Sequence, residues 1–243
     1  MTCFPTSFWL PNKFLPVYIV ISNNDGEGFP KRQLIKSYDV VEEGGFVWLF
    51  YEDQENQMPV DERPPIPSMN CPELSSPKWK AAYGEYEFNA GFTEVFENAI
   101  DPAHIHYLHN DSFGNQESPK IKDMKVEFGP YGITARFSLQ NKPPGVIWEW
   151  TRTTNSEVKV TSQALLPNTS IISFTLNMGV SFITFVNTVP ISETRSVNRF
   201  CLVRNFALSK ELDNFAVKGK CLSLSLTFMY CSTLNTHKGK IST

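Results

Sequence analysis

Three of the four histidines in this 243-residue chain, His104, His106 and His109, fall within six residues, and Asp101 stands just ahead of them. Neutral imidazole is the commonest side-chain metal ligand and titrates close to neutrality. Two imidazoles and one carboxylate on one face of an open site hold non-haem iron(II) while leaving positions free for dioxygen. On an unbroken helix Asp101 and His104 share a face, as do His106 and His109, whereas His104 and His109 stand about 140° apart. Helical spacing alone therefore prefers the pair His106/His109. The pair His104/His109 needs the helix to end or bend, and Pro102, awkward in an unbroken helix, makes such a bend credible. The bland alternative is a packing helix whose histidines are ordinary surface or core residues.

The elements that must position these residues are legible in part. Apolar Val95, Phe96, Ala99, Ile100 and Ala103 recur at three and four, which predicts helix over 93–109. Ahead of it, 79–91 alternate and suit a strand. Further upstream, 38–51 read as a strand, a Gly44-Gly45 turn and a second, apolar strand, followed by a proline-stiffened linker at 59–67. After Lys120 the period is two. A hairpin pairs 124–128 with 133–137, and strands follow at 145–153, 157–166, 170–177, 181–189 and 197–206. Short proline- or glycine-marked connections favour an antiparallel meander. Residues 121–206 are expected to form one sheet with 93–109 across its concave face, and 208–218 to start a C-terminal helix. The fold class is α+β, a curved antiparallel sheet with helices on one side.

Composition narrows the function classes. A net charge of −3 gives no support for a nucleic-acid surface, and no apolar run is long enough to span a membrane as a helix. The five cysteines include no close pair, which argues against a zinc knuckle, a redox dithiol or a disulfide framework and favours a reducing compartment. Trp148, Trp150, Phe174, Phe182 and Phe185 read as sheet core or as the lining of a cavity for a large flat molecule. Asn168-Thr169-Ser170 has the form of a glycosylation sequon but reads as a turn. The two ends differ from the middle: residues 1–20 carry one charge, Lys13, and 214–243 contain no acidic residue. That shift is expected of foreign sequence from a splice variant or misread gene boundary, and it predicts a truncated protein.

The spacing of Asn98, Asp101, His104 and His109 resembles the mononuclear-iron motif of Rieske-type non-haem iron oxygenases. It is nearest the branch of pheophorbide a oxygenase and chlorophyllide a oxygenase, where Asp-Pro-x-His and a following Phe-Gly are usual. Gly44-Gly45-Phe46-Val47-Trp48-Leu49-Phe50 resembles the last strand of that family's Rieske domain. Pro190 to Arg195 and Val203-Arg204-Asn205-Phe206 resemble late strands of its catalytic domain.

The resemblance covers about residues 31–215. It implies a helix-grip fold, with 1–30 an atypical N-terminal segment, 31–70 a remnant of the Rieske domain with its linker, 71–218 the catalytic domain and 219–243 an atypical tail. It implies that His104 and His109 bind iron(II), that Asp101 hydrogen-bonds His104 and that Asn98 lines the site, while His106 matches no ligand. The third ligand, a late carboxylate, has Asp213 as its nearer candidate. The implied activity is dioxygen-dependent (O2) oxidation of an aromatic or chlorin-type substrate, with a reductase or ferredoxin as electron donor and a homotrimer in intact relatives. Intact relatives also carry a 2Fe-2S cluster on Cys-x-His and Cys-x-x-His. No cysteine here is followed by histidine at either spacing, so the chain offers no ligands for it and, as written, is expected to be inactive. The location implied is the chloroplast for a plant or algal protein and the cytoplasm otherwise. The reading from a different class is a non-catalytic helix-grip module that binds an apolar ligand.

Overall fold

The structure, a computed structural model, describes residues 39–50, 58–109, 114–140, 157–176, 179–214 and 218. The chain divides into two compact units, Met1–Arg63 and Pro64–Thr243. In the first, β1 (Val40–Glu43) and β2 (Phe46–Leu49) form a hairpin with Glu43 opposite Phe46. The two-residue loop holds Gly44 and Gly45 at φ 62° and 74°. Two successive positive φ values are what a tight turn matching the strand twist requires, and glycine adopts them without a Cβ clash. The Trp48 indole N–H donates to the Glu43 carbonyl, and the Arg63 guanidinium lies over the Phe50 ring at 4.4 Å.

The second unit is built on one seven-stranded sheet. In chain order its elements are β3 (Lys80–Phe88), α1 (Phe92–Ile100), α2 (His104–Leu108), β4 (Ile121–Gly129), β5 (Gly132–Gln140), β6 (Glu157–Leu165), β7 (Thr169–Thr175), β8 (Ser181–Ser192) and β9 (Arg195–Arg204). Spatially the order is β3-β9-β8-β7-β6-β5-β4, and every described pairing is antiparallel. From β4 to β9 the chain is a meander, as period-two patterning with short turns dictates. β3 joins at the far edge, so the segment 89–120 must cross the sheet from one edge to the other. At about 4.8 Å per strand the crossing is about 29 Å, too wide for a short loop and suited to helices.

The crossing buries one face of the sheet. Residues directly opposite in neighbouring strands point to the same side. Phe88, Ala90, Val186 and Phe200 pack with Val95 of α1. Phe137, Leu139, Val158, Val160, Phe174 and Leu176 pack with Ile105 of α2. Gly91, ahead of α1, sits where a Cβ would come within 2.6 Å of the Glu193 carbonyl, so the helix starts tight against the β8–β9 turn. On the other face, Phe185 opposes Cys201 and Cys201 opposes Tyr83.

The single antiparallel sheet with helices on one face agrees with the sequence reading, with differences in detail. The expected helix over 93–109 is two helices. The expected strand at 145–153, with Trp148 and Trp150, lies outside the described residues. Of the expected helix over 208–218, the structure describes a 3-10 turn at Lys210–Leu212 followed by helical backbone at Asp213. Asn168 and Thr169 are buried at the start of β7, which fits the turn reading and leaves no room for a glycan. Among the described residues no helix is long and apolar enough to cross a membrane.

Phe200 is 1% exposed under α1 while Phe128, on edge strand β4, is 80% exposed. Phe200→Ala is expected to lower unfolding free energy by about 3–5 kcal/mol. Phe128→Ala should stay within about 0.5 kcal/mol of the parent. Urea denaturation of both variants checks the assignment of the inner face.

Candidate metal centre

The segment that crosses the sheet breaks at residues 101–103. α1 ends as Asp101 leaves helical geometry at φ −70° and ψ 119°, and its N–H donates to the Glu97 carbonyl. The Asp101 Oδ1 then accepts from the Ala103 N–H at 2.8 Å. This is the local turn that aspartate offers a chain whose next residue, Pro102, cannot continue a helix. α2 restarts at His104 and lasts five residues.

Both expected ligands sit at the ends of α2. His104 is its first residue, and His109 follows its last at φ −110° and ψ 24°, outside helical geometry. The His109 N–H still donates to the Ile105 carbonyl, and its own carbonyl accepts from the Gly114 N–H at 2.7 Å. The two rings come together with centroids 5.2 Å apart and planes at 69°. Pro102 sets the break before both histidines, and the end of α2 after Leu108 releases His109 from helical phase.

This geometry suits two ligands of one ion. Imidazoles bound at about 2.1 Å, with ring centres roughly 1 Å further out, have centroids about 4.5–5.2 Å apart at ordinary bond angles. His109 is buried, His104 half-buried, and the intervening Ile105 sits in the apolar cluster on the sheet. Asn98 is buried on the inner face of α1, and its Oδ1 has no hydrogen-bond partner among the described residues.

His106, which helical spacing paired with His109, has a different task. It is 1% exposed, and its Nδ1 accepts from the Asn115 N–H at 3.2 Å. The ring proton is therefore on Nε2. Burial pushes the imidazole below the usual histidine range, against the backbone groups of Asn115 and Lys120, which pull it up. Asn115 in turn accepts from the N–H groups of Glu117 and Ser118. His106 thus ties α2 to the chain returning toward β4. Sequence reasoning missed Asn115, although a Gly-Asn pair after a helix is a turn signal.

Asp213 is engaged in ion pairs. Its Oδ1 accepts from the Arg204 guanidinium at 2.6 Å, and its Oδ2 lies 3.6 Å from the Lys80 ammonium. The carboxylate that the resemblance offers as third ligand is thus paired, in the metal-free chain, with a buried cation on β9. No group of three His, Cys, Asp or Glu side chains able to hold a metal forms among the described residues. The histidine pair fits two positions of an iron site, and the described residues do not complete it. A 2Fe-2S cluster does not fit this chain, which has neither Cys-x-His nor Cys-x-x-His. Burial pushes the Cys71 thiol up to about 12 and raises Cys201 as well, so neither is a thiolate ready to bind metal near neutrality.

The lowered His106 value has a consequence for stability. Below the ordinary histidine pKa of about 6.5 the unfolded chain takes up a proton that the folded chain refuses. The folded state therefore keeps its full stability above that pH and loses it as pH falls, by at most about 1.4 kcal/mol per pH unit. Asparagine presents an acceptor where Nδ1 was and does not titrate. Urea unfolding of the metal-free chain from about pH 7.5 to about pH 5.5 is expected to show a smaller loss in His106→Asn than in the parent. Equal losses would mean that burial of this ring is not the source.

Comparison with known proteins places the chain in a family. The chain is 26% identical over 110 residues to the iron-sulfur subunit of a toluene-4-sulfonate monooxygenase system of Comamonas testosteroni, covering 45% of this chain and 30% of that one. It is 28% identical over 111 residues to a vanillate O-demethylase oxygenase subunit of Pseudomonas, covering 46% and 29%. The aligned part thus spans about 30% of the length of these relatives. Among solved structures, dicamba monooxygenase bound to 3,6-dichlorosalicylic acid superposes with a TM-score of 0.72 at 14% identity, covering 91% of this chain and 67% of that one. Pseudomonas putida NdmA with caffeine gives 0.60 at 12% identity, covering 84% and 55%. At such identities these two likenesses speak for the helix-grip fold alone. Residues 88–219, more than half of the chain and the whole of the histidine segment, match the vanillate O-demethylase oxygenase C-terminal domain, and the chain belongs to that family of oxygenase catalytic domains.

Proposed function

We propose that His104 and His109 hold a mononuclear iron(II) and that the protein serves dioxygen-dependent oxidation of an aromatic substrate. The observation that carries this reading is the meeting of the two rings at 5.2 Å across the ends of α2, which helical spacing alone would have kept apart. Family membership supports the reaction class, and the relatives' named compounds, toluene-4-sulfonate and vanillate, support an aromatic ring as substrate.

Iron(II), when bound, supplies the reduction of dioxygen, for which no amino-acid side chain suffices. The chain's own residues bind and orient. Asp101 has one carboxylate oxygen committed to the Ala103 N–H, and we assign the other to the His104 ring, which fixes its tautomer and direction. To Asn98, buried on α1 with its Oδ1 acceptor unpaired among the described residues, we assign a place lining the same site. The apolar residues around Ile105 keep water from the reacting ring. The electrons would have to be supplied from outside these residues, by a donor of the reductase or ferredoxin class. A chlorin as substrate is the finer reading, supported by Asp101-Pro102-x-His104 and Phe113-Gly114.

Anaerobic iron(II) titration tests the ligand set. His104→Ala and His109→Ala are expected to weaken binding by at least about 10-fold, and Asp101→Asn by about 10–100-fold. His106→Asn should leave binding unchanged. Iron lost in His106→Asn and kept in His109→Ala would overturn the assignment. Binding of methoxylated benzoates and of chlorins, titrated on the iron-loaded chain, then separates the substrate classes. Tight binding of such compounds with no iron requirement would favour the non-catalytic module.

A further inference from the structure

The helix-covered face of the sheet carries a row of side chains that changes character from one edge toward the other. Phe137, Val160, Phe174, Phe182, Arg204 and Lys80 lie directly opposite one another on β5, β6, β7, β8, β9 and β3. Directly opposed residues point to one side. Phe137, Val160 and Phe174 pack with Ile105 of α2, and the Phe174 and Phe182 rings stack at 4.7 Å with planes 16° apart. Arg204 therefore shares the face beneath the histidine helix, next to an aromatic platform.

Arg204 is 2% exposed. Its Nε and Nη2 donate to the Ala207 carbonyl at 3.2 and 3.1 Å, and Nη2 also donates to Asp213. Its Nη1 is buried and has no hydrogen-bond partner among the described residues. A buried charged donor left without an acceptor is costly, more so than a neutral one. Asp213 is moreover shared with Lys80, so the three groups together carry one positive charge in excess. Glu211, on the adjoining turn, is exposed to solvent.

We infer that Arg204 Nη1 is the anchor for an anionic substituent, a carboxylate, on the substrate's ring, with the ring over β8 beside the partly buried Phe182. The proposal rests on the aromatic-substrate reading above and narrows it to a ring acid. Neighbouring strands are about 4.8 Å apart, so a ring over β8 places its carboxylate one strand further, over β9. Guanidinium suits the task because it stays charged when buried and presents N–H donors in a fixed plane. The ring end of the row lies toward α2 and the histidines, and the acid end away from them. Arg204 would thus set which end of the substrate faces the metal.

The test compares para-methoxybenzoate with its neutral amide by calorimetric titration of the full chain. The parent is expected to bind the acid at least 10-fold more tightly, about 1.4 kcal/mol. Arg204→Met should abolish that preference and Arg204→Lys should retain part of it. Asp213→Asn keeps the guanidinium and removes its competing anion, so acid binding should tighten; this variant carries the test if Arg204→Met does not fold. Equal affinity for acid and amide in the parent, a preference that survives Arg204→Met, or one lost in Asp213→Asn would overturn the proposal. Iron(II) affinity measured on the same samples keeps the two readings apart. Acid preference without iron binding removes the metal assignment alone, and iron binding without acid preference removes this one alone.

Discussion

The chain leaves the sheet at one edge, after β3, and re-enters it at the other, at β4. Everything about the candidate site follows from that crossing. A segment laid over an apolar sheet face must satisfy its own backbone hydrogen bonds, and helix is the conformation that does so locally. Yet α1 at nine residues and α2 at five do not make one rod. The Asp101 carboxylate and Pro102 turn the chain between them, and the turn lets α1 lie on β6 to β9 while Ile105 of α2 reaches the cluster on β5 to β7. A straight helix would have left one of the two apolar faces exposed.

Shortness is what makes α2 chemically useful. A ligand pair five residues apart cannot converge on a regular helix. Placing His104 at the first residue of a five-residue helix and His109 just beyond the last frees the second side chain from helical phase while the backbone is still held by the Ile105 carbonyl. Rigidity comes from the histidine between them. His106 faces inward, and its hydrogen bond to the Asn115 backbone fastens the returning chain to α2. Burial disfavours the charged form of that ring, and a neutral ring can accept the hydrogen bond that holds the segment.

The face beneath the helices is not uniform. Its apolar rows account for burial of Val95 and Ile105, while Arg204 and Lys80 bring charge to the end near β3. Removing a guanidinium from water is costly, and Asp213 with the Ala207 carbonyl offsets only part of it. The two thiols nearest that edge on the opposite face, Cys71 and Cys201, remain protonated through burial and add no charge there.

Much of this was determined by local pattern. Period-two alternation located the described strands after Lys120 and their antiparallel order, because alternate residues of a strand must face opposite sides. Gly44-Gly45 specified its own hairpin, since only glycine takes positive φ twice in succession at no steric cost. Pro102 marked the helix break, because a ring nitrogen has no hydrogen to donate. Residue types and spacing around Asn98, Asp101, His104 and His109 identified the family through resemblance, but the helical period by itself pointed to His106 and His109. Which rings meet was decided by where α2 stops, and that depends on the sheet that receives Ile105 and on the Asn115 backbone that receives His106. The use of Asp213 was likewise tertiary: its partners Lys80 and Arg204 stand on two strands distant in sequence, and only their antiparallel pairing sets both cations beside one carboxylate. Local sequence encodes backbone conformation residue by residue, whereas the choice among several histidines or carboxylates is made by whatever the fold brings against them.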